Sequence, residues 1–239
     1  MFSDLLKQYK LKTEYIHLNK NVHIITKENW DYPIALEFQK SCVQFVKQNP
    51  TQRIFIITSH PHCFTNGRGL QKGLKAELVD FKEQAKMPLP IYSITRGGGL
   101  TFHYPGQYIV YPIIKLNTNH FSMKKIIYGL LEITKKALEK SFNLKQLDYN
   151  RDLLGLWSQN SKLASLGIAT ENYVTFHGMA LHLEFDQNIL NALRFLHPCG
   201  IRPETYSDVK TLSPNSDNLR PTFHQAFLEQ LTLSPLGSL

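Results

Sequence analysis

Apolar side chains recur along this chain in two periods, and the changes from one to the other mark its elements. Residues 30–48 place Ala35, Phe38, Cys42 and Phe45 at helical spacing after Asp31 and Pro33, residues suited to a helix start. Cys42 therefore falls on the inward face. A longer stripe at 122–142 aligns Met123, Ile126, Ile127, Leu130, Ile133, Ala137 and Leu138 beside Lys124, Lys125, Lys135 and Lys136, which predicts a core-facing helix. RIFIIT (53–58) has the β-branched and aromatic composition of a buried strand, and PIYSIT (90–95) and QYIVYPII (107–114) read as two more. Strand-like pieces follow at 153–157, 162–168, 173–176 and 179–185, separated by turn residues. A helix from about Asp186 to Phe195 ends before His197 and Pro198, and Pro221 opens a last one. Long helices with clustered strands and no regular βαβ alternation predict an α+β fold around a largely antiparallel or mixed sheet.

The 239 residues, 42% hydrophobic and 19% charged, suit one domain spanning 1–239. No apolar run approaches the roughly 20 residues of a membrane span. The opening MFSDLLKQYKLK lacks the apolar core of a secretory signal, so a cytoplasmic location is expected. Three cysteines, Cys42, Cys63 and Cys199, with no Cys-x-x-Cys pair, argue for free thiols in a reducing compartment. The formal charge of +8 is spread in pairs with no nucleic-acid motif. It suits a docking surface for an acidic protein, or simply a basic, soluble surface.

Candidate chemistry lies in the segments between these elements. RGGGLTFHYPGQ, Arg96 to Gln107, packs three glycines against an arginine and a histidine. Such a loop lets backbone approach a ligand and present N–H groups, although it lacks the order of a nucleotide P-loop. Cys199, in HPCGI, follows a proline and precedes a glycine, a place where a thiol can stand exposed. A lone cysteine is more often inert and buried, and a lone lysine such as Lys162 more often sits on the surface. His60 and His62 beside Cys63 lack paired-ligand spacing, so no metal site is expected. His17, His23, His120 and His224 stand in no informative context.

Arg96 to Gln107 also carries a specific resemblance: RGG, two residues, Thr, an aromatic, His, two residues and Gly-Gln is similar to the signature of the lipoate-biosynthesis octanoyltransferases. SHPHCFTNGR (59–68), SKLASLGI (161–168), TFHGMAL (175–181) and HPCGI (197–201) resemble further family elements in the same order. The resemblance implies the α+β fold of biotin- and lipoate-protein ligase catalytic domains, a mixed sheet flanked by helices. It implies an acyltransferase that moves octanoyl from octanoyl-acyl carrier protein to a lipoyl-domain lysine, in 2-oxoacid dehydrogenases or the glycine cleavage H protein, through a Cys199 thioester. Neither metal nor ATP is implied, and neither nucleic acid nor membrane is a partner. Lys162 becomes the partner of Cys199, stabilising the thiolate as an ammonium and taking protons as an amine whose basicity burial lowers. Substrate-binding roles fall on Arg96, Gly97, Gly98, Gly99, Leu100, Thr101, Phe102 and His103, on Ser165, Leu166 and Gly167, and on Gly178, Met179 and Ala180. His177 joins His103 as a pocket-lining candidate. Backbone N–H groups of Ser165 to Gly167 or of Gly97 to Gly99 are candidates for the oxyanion site. The sequence departs from the family pattern at Tyr104, usually Gly, at His182, usually Asn, and at Cys63, usually aliphatic. Two alternatives stay open: an ATP-dependent lipoate-protein ligase, and an inactive acyl-carrier-binding module.

Overall fold

The computed structural model describes residues 2–9, 14–68, 89–117, 120–150, 153–186 and 205–238. Cys199, its HPCGI motif and the helix expected after Asp186 lie outside the described residues. The described chain runs α1 (Phe2–Gln8), β1 (Glu14–Asn19), β2 (Val22–Lys27), α2 (Tyr32–Gln48), β3 (Arg53–Thr58), β4 (Cys63–Asn66), β5 (Ile91–Ser93), β6 (Leu100–His103) and β7 (Gln107–Ile114). It continues through α3 (Met123–Phe142), β8 (Leu147–Asn150), β9 (Gly155–Ser158), β10 (Ser161–Glu171) and β11 (Val174–His182) to α4 (Val209–Leu212), α5 (Leu219–Leu233) and α6 (Pro235–Ser238).

Eight strands form one sheet in the order β1-β2-β3-β7-β11-β10-β9-β8. Among the described strands β2 and β3 pair in parallel and the other neighbours are antiparallel, so the sheet is mixed, as expected. Period-two alternation divides its side chains between two cores. Phe55, Ile57, Tyr108, Val110, Met179 and Leu181 join α3 and α5 on one face. Ile54, Ile56, Ile109, Tyr111, Phe176 and Ala180 join α2 on the other. Burial on both faces explains why RIFIIT and QYIVYPII are apolar almost throughout.

Helix ends follow local chemistry. The Ser122 hydroxyl accepts from Lys125 N–H to start α3, and Asn143, at φ 51°, closes it in the left-handed conformation. The Asp31 carboxylate caps α2, with Pro33 in the first turn. The helix expected to open at Pro221 is α5, which begins at Leu219, so Pro221 sits inside its first turn, and the short α6 follows it.

Two expectations change. The polar stretch SHPHCFTNGRG contains β4, the centre of a small second sheet ordered β5-β4-β6. The pieces expected at 173–176 and 179–185 form the single strand β11. Its chain bends at His177, φ 58°, without leaving the ladder with β10. Gly178 beside it lets β7 approach closely: a Cβ there would lie 2.0 Å from the Val110 carbonyl oxygen. Gly178→Ala is therefore expected to destabilise the fold by about 2 to 4 kcal/mol, read as a fall in the urea unfolding midpoint. An unchanged midpoint would mean that β11 and β7 pack less closely than this.

Candidate active site

Antiparallel pairing of β4 with β6 sets Thr65 opposite Thr101 and Cys63 opposite His103, bringing two distant motifs side by side. Arg96, 7% exposed, turns back over this pair. Its Nη2 donates to the Thr65 carbonyl at 2.9 Å, to Thr65 Oγ1 at 2.9 Å and to Thr101 Oγ1 at 2.7 Å, while Nη1 donates to the Gly97 carbonyl at 3.0 Å. The guanidinium thus ties the glycine loop to the small sheet. Close approach requires two glycines outside the loop. A Cβ on Gly67 would lie 2.4 Å from Gly98 O, and one on Gly167 would lie 2.8 Å from Gly97 O. The Gly97, Gly98 and Gly99 N–H groups donate to no acceptor among the described residues, whereas Leu166 N–H is already bound to Leu154 O at 3.3 Å. Of the two candidate oxyanion segments, the glycine loop has the donors to offer.

His103 is held by a directed chain of bonds. Gln107 Nε2 donates to the Phe102 carbonyl at 3.0 Å, so its Oε1 accepts from His103 Nδ1–H at 3.0 Å. Thr65 Oγ1, which accepts from Arg96, donates to His103 Nε2 at 3.1 Å. The partners therefore assign a neutral ring protonated at Nδ1. His60 is neutral in the same way, donating from Nδ1 to the Trp30 carbonyl at 2.6 Å and accepting the Tyr111 hydroxyl at Nε2, 2.8 Å away. His177, 2% exposed, donates its backbone N–H to Gln39 Oε1, and its Nε2 has no partner among the described residues. A buried ring nitrogen left open beside a cavity is available to a ligand.

Lys162 lies on β10 and is 2% exposed. Its Nζ stands 5.7 Å from the centre of the Trp157 ring, and its Cε passes so near Gly155 that a Cβ there would come within 2.9 Å. A bulge between Lys162 and Ala164 shifts the register with β9 at this point.

One cavity of about 420 Å³ joins these groups. Arg96, Gly97, Gly98, Gly99, Thr101, His103, Lys162, Ser165, Leu166, Gly167, Gly178, Met179 and Ala180 line it, together with His177. Leu100 and Phe102 do not. They alternate with Thr101 and His103 along β6, and Phe102 instead stacks on Phe64, ring centres 4.7 Å apart. The sequence reading missed Tyr32, Ile109, Tyr111, Leu153 and Leu154 in the wall, and it took Met123 and Ile127 for core alone. Those residues carry an ordinary core pattern and no motif. Among the described residues, no group of three His, Cys, Asp or Glu side chains could hold a metal ion. His62 Nε2 pairs with Asp186 at 2.7 Å.

Burial is the main cause of low basicity in five histidines, His23 among them. His60 is held down to about 4, His177 and His182 to about 3, and His103 well below the ordinary imidazole value. Unfolded rings take up protons near pH 6.5, roughly. Below that, the unfolded chain binds more protons than the folded one, so stability falls as pH falls. The urea midpoint is expected to hold from pH 8 to about 7 and to decline steadily below about 6.5. A midpoint unchanged down to about pH 4.5 would contradict neutral burial of these rings.

A family model described as the lipoyl protein ligase A/B catalytic domain matches residues 31–231. An octanoyltransferase of Desulfotalea psychrophila is 35% identical over 150 residues, covering 62% of this chain and 64% of its own. One from Thermoanaerobacter sp. strain X514 is 30% identical over 188 residues, 78% of each chain. A chloroplastic octanoyltransferase of Arabidopsis thaliana is 29% identical over 194 residues, which cover 80% of this chain and 65% of that protein. Among solved structures, P. falciparum LipL1 in complex with lipoate superposes with a TM-score of 0.65 at 11% identity, covering 89% of this chain and 61% of that one. Lipoate-protein ligase A bound with ATP gives 0.60 at 11% identity, covering 89% and 84%. At such identities the structural likeness establishes the fold.

Proposed function

Because the chain belongs to the lipoyl protein ligase A/B catalytic-domain family and is an acyltransferase of lipoyl or octanoyl groups, we propose that it carries octanoyl from an acyl carrier protein to a lipoyl-domain lysine through a thioester on Cys199. The observation that carries this reading is Lys162, a lysine 2% exposed in the wall of a cavity that also presents the glycine loop. A cation is costly to bury, so its presence there calls for a chemical use.

In the first half-reaction Lys162 takes the Cys199 proton and the thiolate attacks the thioester carbonyl of the donor. The tetrahedral intermediate collapses by breaking the carrier's C–S bond, and the carrier leaves as a thiol with the proton returned by Lys162. In the second, the acceptor lysine amine attacks the Cys199 thioester, gives a proton through Lys162, and expels Cys199 as the thiol. The N–H groups of Gly97 to Gly99 offer the ligand oxygen donors that need no rearrangement. Met123, Ile127, Leu153 and Leu154 give the same cavity an apolar wall suited to an alkyl chain. The acidic surfaces of carrier and lipoyl domain meet a chain of formal charge +8, which favours encounter.

Incubation with octanoyl-acyl carrier protein should give an octanoyl adduct by intact mass, mapping to Cys199 and discharged by a lipoyl domain. The rival reading is an ATP-dependent ligase. Octanoylation of a lipoyl domain from free octanoate and ATP that survives Cys199→Ser would establish the rival instead.

A further inference from the structure

Tyr104 and His182, the two pocket-region departures from the family pattern, are the two ends of one contact. The Tyr104 hydroxyl lies 2.7 Å from His182 Nδ1, across 78 residues of sequence, and the rings stack at 13° with centres 5.8 Å apart. Both side chains are buried. The hydroxyl has no other acceptor among the described residues, so it donates and the neutral ring carries its proton on Nε2.

The location of the pair gives it a use. β11 ends at His182, one step beyond the pairing of Leu181 with Ala164. Where β11 stops, Tyr206 takes the next place along β10, bridging in parallel to Lys162, and Ser207 N–H donates to the Lys162 carbonyl at 3.1 Å. The His182 ring meets Tyr206 edge-on, at 86° with centres 6.0 Å apart. Burial disfavours a positive charge on His182, and the nearby Lys162 ammonium opposes it further. Among the described residues, the Asp208 and Asp186 carboxylates are charges that act on Tyr104.

We infer that Tyr104 and His182 are positioning residues for Lys162, acting through Tyr206 and Ser207, which clamp the backbone of the lysine from the side that β11 leaves open. The hydroxyl fixes the ring, the ring fixes Tyr206, and the Tyr206 segment fixes where the lysine amine stands. This inference rests on the reading of Lys162 as the proton-transfer partner of Cys199.

The test uses the full chain and two mild substitutions. Tyr104→Phe keeps the ring stack and removes the bond. His182→Asn keeps an acceptor for the hydroxyl and removes the ring that meets Tyr206. Each should lower kcat about tenfold with KM for the acyl donor little changed, slow iodoacetamide alkylation of Cys199 across the pH range, and speed hydrogen exchange at the Ser207 amide. A thermal unfolding curve confirms that each variant is folded. In a Lys162→Ala background the two substitutions should have no further effect on the alkylation rate, because they act through that side chain. Equal slowing with and without Lys162, or unchanged exchange at Ser207, overturns the inference while leaving the Cys199 and Lys162 reading intact. An alkylation profile that ignores Lys162→Ala removes that reading, and the inference with it.

Discussion

Cys199→Ala is expected to reduce octanoyl transfer at least about a thousandfold, while Cys42→Ala and Cys63→Ala retain most of it. The burial and location of Cys42 and Cys63 argue for the contrast. Cys42 lies on the inner face of α2, fully buried among Phe38, Val43 and Val46, and burial holds its thiol well above the ordinary range. Cys63 is 3% exposed, packs beside Tyr32 and Ile94, and is pushed up to about 12 by burial and the Asp31 carboxylate. Neither forms a thiolate readily at neutral pH, and neither lines the cavity. Removing them costs packing, so a modest loss of stability is the expected effect. Transfer rates and intact-mass adducts of the three variants check this. An acyl adduct on Cys63, or a Cys199→Ala enzyme that still turns over, would end the thioester proposal.

Lys162→Ala should slow both half-reactions by roughly a hundredfold or more and raise the pH at which Cys199 becomes reactive towards iodoacetamide. The side chain lies beside Trp157 and over Gly155 with almost no access to solvent, so bulk water is poorly placed to replace it as a proton carrier. Lys162→Arg should not restore the rate. A guanidinium stays protonated and so cannot take the thiol proton, and its planar head does not match the space of an ammonium. Single-turnover measurements of each half-reaction separate the two proton transfers. Recovery in the arginine variant would reduce the role of Lys162 to a fixed positive charge.

Much of the architecture was legible because period and composition report local geometry directly. The stripe from Met123 to Leu138, capped by Ser122, could form only one face of a helix. The runs 53–58 and 107–114 became strands with those same bounds because both of their faces are buried. β4 was hidden, since CFTN is too short and polar to read as a strand; its pairing with β6, distant in sequence, makes it one. β11 was read as two pieces because Gly178 mimics a turn signal, while its real use is to admit the Val110 carbonyl.

The site divides along the same line. Motif order alone singled out Arg96, the glycine loop, Lys162 and the segment around Gly167, and all of them line one cavity. Sequence could not separate Thr101 and His103 from Leu100 and Phe102, since which side of β6 faces the cavity depends on where β4 lies. Nor could it connect Tyr104 with His182, whose bond depends on the packing of chain segments 78 residues apart. Local periodicity and motif spacing determined the long elements and the candidate chemistry of the chain. The tertiary structure decided which side chains share a cavity and which histidines stay neutral, because burial and partners are set by residues far away in sequence.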